Sequence, residues 1–237
     1  MIFEKPAARS LRWKRQYRIV ATRYPPIDLF ERLDLSNHDK RLLWALQSRV
    51  NPRLLQQSGN LQLVREDDIV SGPNASVVMS AFTHAGFNSR FSSGTFGVYY
   101  GGHALETAIR ETCFHRERDA RERGLVAQEF DMRAYVGQIK RPMYDIRDDR
   151  YSYLHDPDPE KYPVSQSFAL SLLQSDPDAW GIVFNSVRHP NGECIAALRP
   201  PAVSLPISGP LLTYVWNGEK IAMVYEKSGP LVCFDDQ

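Results

Sequence analysis

Four side chains of the 237-residue sequence join a reactive type to a neighbourhood that leaves it usable: Arg90, Tyr100, Glu111 and Ser186. Arg90 lies in a small-residue stretch, NSRFSSG, where an anion can approach the backbone while the guanidinium grips it bidentately. Tyr100 precedes Gly101-Gly102, which leave one face of its ring open. Glu111 falls on the helix that follows, and Ser186 follows an apolar strand in NSVRHPNG. Such positions, at strand ends and helix starts, are where sites concentrate. Each residue also has a structural explanation: a surface ion pair for Arg90, a satisfied core position for Tyr100, a solvated helix charge for Glu111, a turn for Ser186.

Other constellations carry less. His103, Thr107, Glu111 and His115 recur at helical steps of four, so Glu111 and His115 share a face, but a third metal ligand is missing. Ser92 and Ser93 lack a G-x-S-x-G frame, which speaks against a serine hydrolase. Cys113 beside His115 is no protease signature. No G-x-G-x-x-G follows a strand, so a Rossmann cofactor site is not indicated.

The elements that must position these residues follow from pattern. Residues 16–24 alternate as a first strand ended by Pro25 and Pro26. Residues 27–33 form a short helix; Ser36 caps a longer one with Leu42, Leu43, Leu46 and Val50 on one face, ended by Pro52. Residues 61–72 read as a connector with a short strand, 75–82 as a compact apolar strand, 83–94 as a loop, and 96–100 as a strand. The clearest helix runs from His103 to about Arg123, with Leu105, Ala108, Ile109 and Thr112 inward, and Gly124 ends it. Beyond it the chain is β-rich. Strands are expected at 126–132, 134–140, 143–146, 181–185 and 193–198, with a loop at 148–162 and a helix at 166–173. A hairpin, 211–216 with 220–225, turns at Asn217-Gly218. These elements form one α+β domain with mixed, mostly antiparallel sheets and flanking helices. Residues 1–15 are a basic arm, 27–72 a mostly helical section, and 75–200 carry the motifs.

Composition bounds the partners. The formal net charge is +1, against the strong basic excess of most nucleic-acid binders. The N-terminal residues Lys5, Arg9, Arg12, Lys14, Arg15, Arg18 and Arg23 face only Glu4. They read as a solvated arm, with a handle for an acidic partner or a phosphate as the sharper alternative. Cys113, Cys194 and Cys233 are far apart and form no CxxC pair, so a reducing cytoplasm is expected. No signal-peptide core or long apolar run is present, so neither export nor membrane spanning is expected.

The stretch NSRFSSGTFGVYYGGHALETAIRET resembles the central motif of the RES-domain family, in which a loop Arg, a strand Tyr and a helix Glu match Arg90, Tyr100 and Glu111. GIVFNSVRHPNGECIAALRP resembles the later segment of that family, whose Ser matches Ser186, and ATRYPPIDLFERL resembles the opening of its toxin-type members, adding Arg23. The loop departs from the commoner GGRWN form; the separation from Glu111 favours Tyr100 over Tyr99 as the strand Tyr. The resemblance implies an ADP-ribosyltransferase-like fold and a toxin of a type II toxin–antitoxin pair. Such a toxin consumes NAD, transferring ADP-ribose to a protein with release of nicotinamide, or breaking NAD down by hydrolysis or phosphorolysis. It also implies a helix-turn-helix antitoxin of the Xre/ParS type that blocks the site, and no metal. On that resemblance Arg90 and Arg23 hold a phosphate, Tyr100 stacks on nicotinamide, Glu111 stabilises the cationic ribose and Ser186 orients. A non-enzymatic interaction protein using the basic arm on nucleic acid is the alternative of another class.

Overall fold

The structure, a computed structural model, describes residues 3–24, 26–49 and 56–227. The expectations that rest on Pro25, Val50, Pro52 and Cys233 lie outside them. A nine-stranded sheet forms the middle layer. Its strands are β1 (Ala8–Arg9), β2 (Gln16–Ala21), β3 (Tyr99–Gly102), β4 (Gln128–Gly137), β5 (Met143–Asp145), β6 (Gly181–Asn185), β7 (Glu193–Ala197), β8 (Ile207–Trp216) and β9 (Ile221–Glu226). They are ordered β1-β5-β6-β7-β3-β2-β4-β8-β9. Among the described residues only β5 and β6 pair in parallel; the β8–β9 hairpin turns at Gly218, whose φ of 99° suits glycine. This is the mixed, mostly antiparallel α+β fold that the pattern predicts.

Helices cover both faces. One face packs against the N-terminal section: α1 (Asp28–Glu31), α2 (Asn37–Gln47) and α3 (Ala75–Thr83) join Tyr99, Val183, Ile195 and Ala197 in one cluster. The other face carries α4 (Leu105–Glu122), packed on Ile19, Ala21, Met132 and Leu212, and α5 (Tyr162–Ser175), packed on Ile182, Phe184 and Ala196. Gly102 lets α4 come close: a Cβ there would lie 2.8 Å from the Ala108 backbone nitrogen. No helix among the described residues is long and apolar enough to cross a membrane.

Several elements differ from the sequence expectation. Residues 75–82 form a helix, not a strand. Most of the run is buried, with Ser80 and Ala81 partly exposed, and a short, mostly apolar run carries too little period to separate the two. The connector at 61–72 makes two 3-10 turns, Leu61–Leu63 and Glu66–Asp68, and no strand. Ser36 caps α2 as expected, its hydroxyl accepting from Asp39 N, but the inward residues are Lys40 and Trp44, while Leu46 is 68% exposed. The strand pair expected at 126–140 is one continuous strand, β4, and the strand expected at 96–100 shifts onto the two glycines. The backbone of the basic arm docks on the sheet, while Lys5, Arg9, Arg12, Lys14 and Arg15 keep exposed side chains, as expected of a solvated arm. Ala8 and Arg9 pair with β5, Trp13 stacks on His103 at 4.3 Å, and Arg18 lies within β2.

Candidate active site

Ser186 is the centre of the site. It starts the turn between β6 and β7, where its backbone N–H donates to Gly192 O at 2.8 Å. The hydroxyl oxygen accepts from the backbone N–H groups of Arg188 (3.2 Å) and His189 (3.0 Å). Its proton goes to Glu111 Oε1 at 2.5 Å. A carboxylate reached by a hydroxyl that is itself polarised by two N–H donors sits in a cooperative chain. The turn is tied to α4 a second time, by a 2.9 Å hydrogen bond between the His189 ring and the Thr107 hydroxyl. Thr107 lies four residues before Glu111, so both ties fall on one face of the helix.

Tyr100 and Arg90 approach from β3 and the loop before it. The Tyr100 hydroxyl accepts from Phe91 N (3.1 Å) and donates to Ser89 Oγ (3.1 Å), fastening the residues on either side of Arg90. Its ring lies edge-on to Phe184 at 6.5 Å. Burial pushes the phenol up to about 12, so it stays protonated. Tyr99 points to the opposite face, fully buried, its hydroxyl accepting from Gln16 Nε2 at 2.8 Å. Alternation along β3 therefore puts Tyr100, and not Tyr99, on the side of α4.

Arg90 is 6% exposed. Its Nη1 donates to the carbonyls of Leu154 (3.0 Å) and Asp156 (2.9 Å), and the guanidinium lies 4.9 Å from the Tyr162 ring centroid. It forms no ion pair among the described residues. Cys194 joins the two halves. Burial raises its thiol well above the ordinary range, Glu111 raises it further, and a Ser186 hydrogen bond and the Arg90 charge oppose them. All three side chains therefore lie within electrostatic reach of one sulfur, which stays a thiol.

Arg23 is not brought into this network. It is exposed and its Nη2 donates to the neighbouring Tyr24 hydroxyl at 3.1 Å. It nevertheless follows the end of β2, which runs antiparallel to β3 and so ends at the edge where the Arg90 loop enters. Sequence reasoning missed Arg18, His189, Thr107 and Arg188. Arg18 lies against the Tyr99 ring at 4.6 Å and donates to the Tyr100 carbonyl at 3.1 Å, and desolvation lowers its pKa. The period-2 position of Arg18 in QYRIVA was the available signal. Arg188 and His189 stand in the NSVRHPNG stretch with no pattern to mark them. Among the described residues, no group of three or more His, Cys, Asp or Glu could hold a metal ion.

Two comparisons with known proteins bear on the arrangement. Residues 66–217 match the family model of the RES domain. The chain is also 25% identical over 217 residues to a Sinorhizobium fredii protein (strain NBRC 101917 / NGR234) named "Uncharacterized protein y4oC". That match covers 88% of this chain and 86% of the relative. The RES match takes in Arg90, Tyr100, Glu111 and Ser186 together with strands β3 to β8 and helices α3 to α5. Its fold is ADP-ribosyltransferase-like, and the chain belongs to the RES-domain family.

Proposed function

We propose that this chain cleaves the bond between nicotinamide and ribose in NAD and transfers ADP-ribose to a protein side chain. The observation that carries the reading is the Ser186–Glu111 hydrogen bond on the same face of the sheet as Tyr100, with Arg90 in the adjoining loop. NAD offers a cationic ring, a ribose and a diphosphate. Those groups match an aromatic face, a held carboxylate and a guanidinium free of acidic partners. As the glycosidic bond breaks, its electron pair leaves with nicotinamide and positive charge develops on the ribose. Glu111 stabilises that charge, and Ser186 keeps the carboxylate aimed. Tyr100 packs on the nicotinamide, and Arg90 binds phosphate. The acceptor's lone pair then bonds to the ribose carbon and its proton is lost to solvent.

With water as acceptor the same residues make an NAD glycohydrolase. Purified protein supplied with tagged NAD separates the outcomes: label on a protein band means transfer, and free ADP-ribose means hydrolysis. If neither label nor nicotinamide is released, the enzyme reading fails. The proposal extends to a toxin that acts in the cytoplasm and is held in check by a helix-turn-helix antitoxin. Co-expression with such a neighbour would restore growth that the toxin alone arrests. A nucleic-acid binder relying on the basic arm finds less support, since Lys5 and Arg9 lie beside Asp176 and Asp145 at 3.9 Å each.

A further inference from the structure

We propose that Arg188 is the second guanidinium of an anion subsite shared with Arg90, and that this subsite takes the diphosphate of the ADP-ribose moiety. The inference rests on the NAD-cleaving reading above and names a residue for it. Arg188 stands two positions after Ser186, and its backbone N–H donates to the Ser186 hydroxyl. The hydroxyl that holds Glu111 thus also places Arg188. The side chain crosses from the turn to both walls of the site. Its guanidinium lies 3.4 Å from the Phe114 ring centroid on α4 and ends on the Pro157 carbonyl.

Arg90 ends on the Asp156 carbonyl. Asp156 and Pro157 are consecutive, with Cα atoms about 3.8 Å apart, so two guanidiniums converge on one short piece of backbone. Neither forms an ion pair among the described residues. Burial is the main reason that His115 disfavours its charged form, and Arg118, Arg188 and Arg90 add to it. This is a concentration of unpaired positive charge beside a carboxylate that Ser186 already engages. Backbone carbonyls are neutral acceptors. Phosphate oxygens add opposite charge to the same hydrogen bonds, so a diphosphate is the stronger acceptor, with one phosphoryl group for each fork. The Phe114 stack fixes the plane of the Arg188 guanidinium in advance. Arg23, by contrast, is exposed, and its guanidinium rests on the neighbouring Tyr24.

The test is isothermal titration of the full chain with ADP-ribose, with inorganic pyrophosphate as competitor. Arg188→Gln weakens ADP-ribose binding about tenfold to a hundredfold, the scale of a lost hydrogen bond to a charged group. Arg188→Lys, which keeps the charge but not the fork, falls between. The glutamine variant also shows a shallower dependence of affinity on salt, which a merely structural role would not produce. If Arg188→Gln binds ADP-ribose as tightly as the wild type, the assignment is overturned and the NAD reading stands. If the wild type neither binds ADP-ribose nor releases nicotinamide, both are overturned. Should the glutamine variant not fold by circular dichroism, the lysine variant decides. Unchanged affinity overturns the assignment, and weaker binding by a folded protein supports it.

Discussion

The Glu111 carboxylate and the Ser186 hydroxyl, 75 residues apart in sequence, meet at 2.5 Å across the gap between α4 and the β6–β7 turn. The two residues do different work in that contact. Ser186 supplies a donor whose direction is fixed by two backbone N–H groups, and Glu111 supplies the charge. Glu111→Gln separates them. The amide oxygen still accepts from Ser186, so folding is retained, but the negative charge is gone. Nicotinamide release falls by about 10² to 10³, the usual cost of removing one preorganised electrostatic group. A glutamine variant that keeps wild-type turnover would remove Glu111 from the chemistry.

Ser186→Ala has a different signature. It frees the carboxylate and leaves the N–H groups of Arg188 and His189 without their acceptor. Stability drops by about 0.5 to 1.5 kcal/mol, the net worth of a hydrogen bond that water can partly replace. Turnover drops as well because Glu111 is no longer aimed. His189→Ala loosens the same turn at its Thr107 anchor but leaves the Ser186–Glu111 bond in place. It therefore costs less in turnover than Ser186→Ala. Nicotinamide release and thermal unfolding of both variants check the order, and equal turnover losses would mean that the His189 tie matters as much as the Glu111 contact.

Much of this site was legible in the sequence because Arg90, Tyr100 and Glu111 fall within one loop–strand–helix unit. The strand's two-residue period and the helix's four-residue step fix their sides. Strands β6 and β7 and the β8–β9 hairpin were equally plain, being short apolar runs set off by turn residues. What stayed hidden depends on tertiary context. The face of α2 turns on Trp44, whose ring N–H reaches the Gly59 carbonyl at 3.0 Å, and on Lys40, whose ammonium reaches Leu35 O at 2.9 Å and Ser71 Oγ at 2.8 Å. A buried lysine satisfied by distant oxygens cannot be read from period alone. Helix α3 was hidden for the opposite reason, since burial of most of its residues blurred its period. Arg188 and His189 gain their roles only when the β6–β7 turn folds back onto α4.

Tyr100 makes the protein sensitive to alkali in a calculable direction. Burial raises its phenol from the ordinary 10 to about 12, so the folded state disfavours the phenolate relative to the unfolded chain. This contribution is fully present below pH 10 and is lost as pH rises from 10 towards 12. Two pH units correspond to about 2 to 3 kcal/mol at the upper end. Tyr100→Phe removes that slope and keeps the ring, while giving up the hydroxyl's bonds to Phe91 N and Ser89 Oγ at every pH. Denaturant unfolding of both proteins from about pH 8, below both phenol values, up to about pH 12 reads the difference. Parallel curves across that range would show that another group governs alkaline stability.

Gly102→Ala tests whether the close approach of α4 to β3 matters for the reaction. The added methyl would lie 2.8 Å from Ala108 N and 3.2 Å from Ala104 O, both backbone atoms with no rotamer to yield. The first turn of α4 must therefore move outward. Overpacking of this kind costs about 1 to 3 kcal/mol, read as a lower unfolding midpoint. The same movement carries Thr107 and Glu111 away from the β6–β7 turn, because Thr107 lies in that first turn and Glu111 one turn further along the helix. Nicotinamide release should fall by more than the loss of folded protein explains, since a misplacement of about 1 Å at a reacting group can cost two orders of magnitude. Activity per folded molecule is the measurement that decides. A variant with a lower midpoint but full specific activity would place the tight helix–strand contact on the side of stability alone.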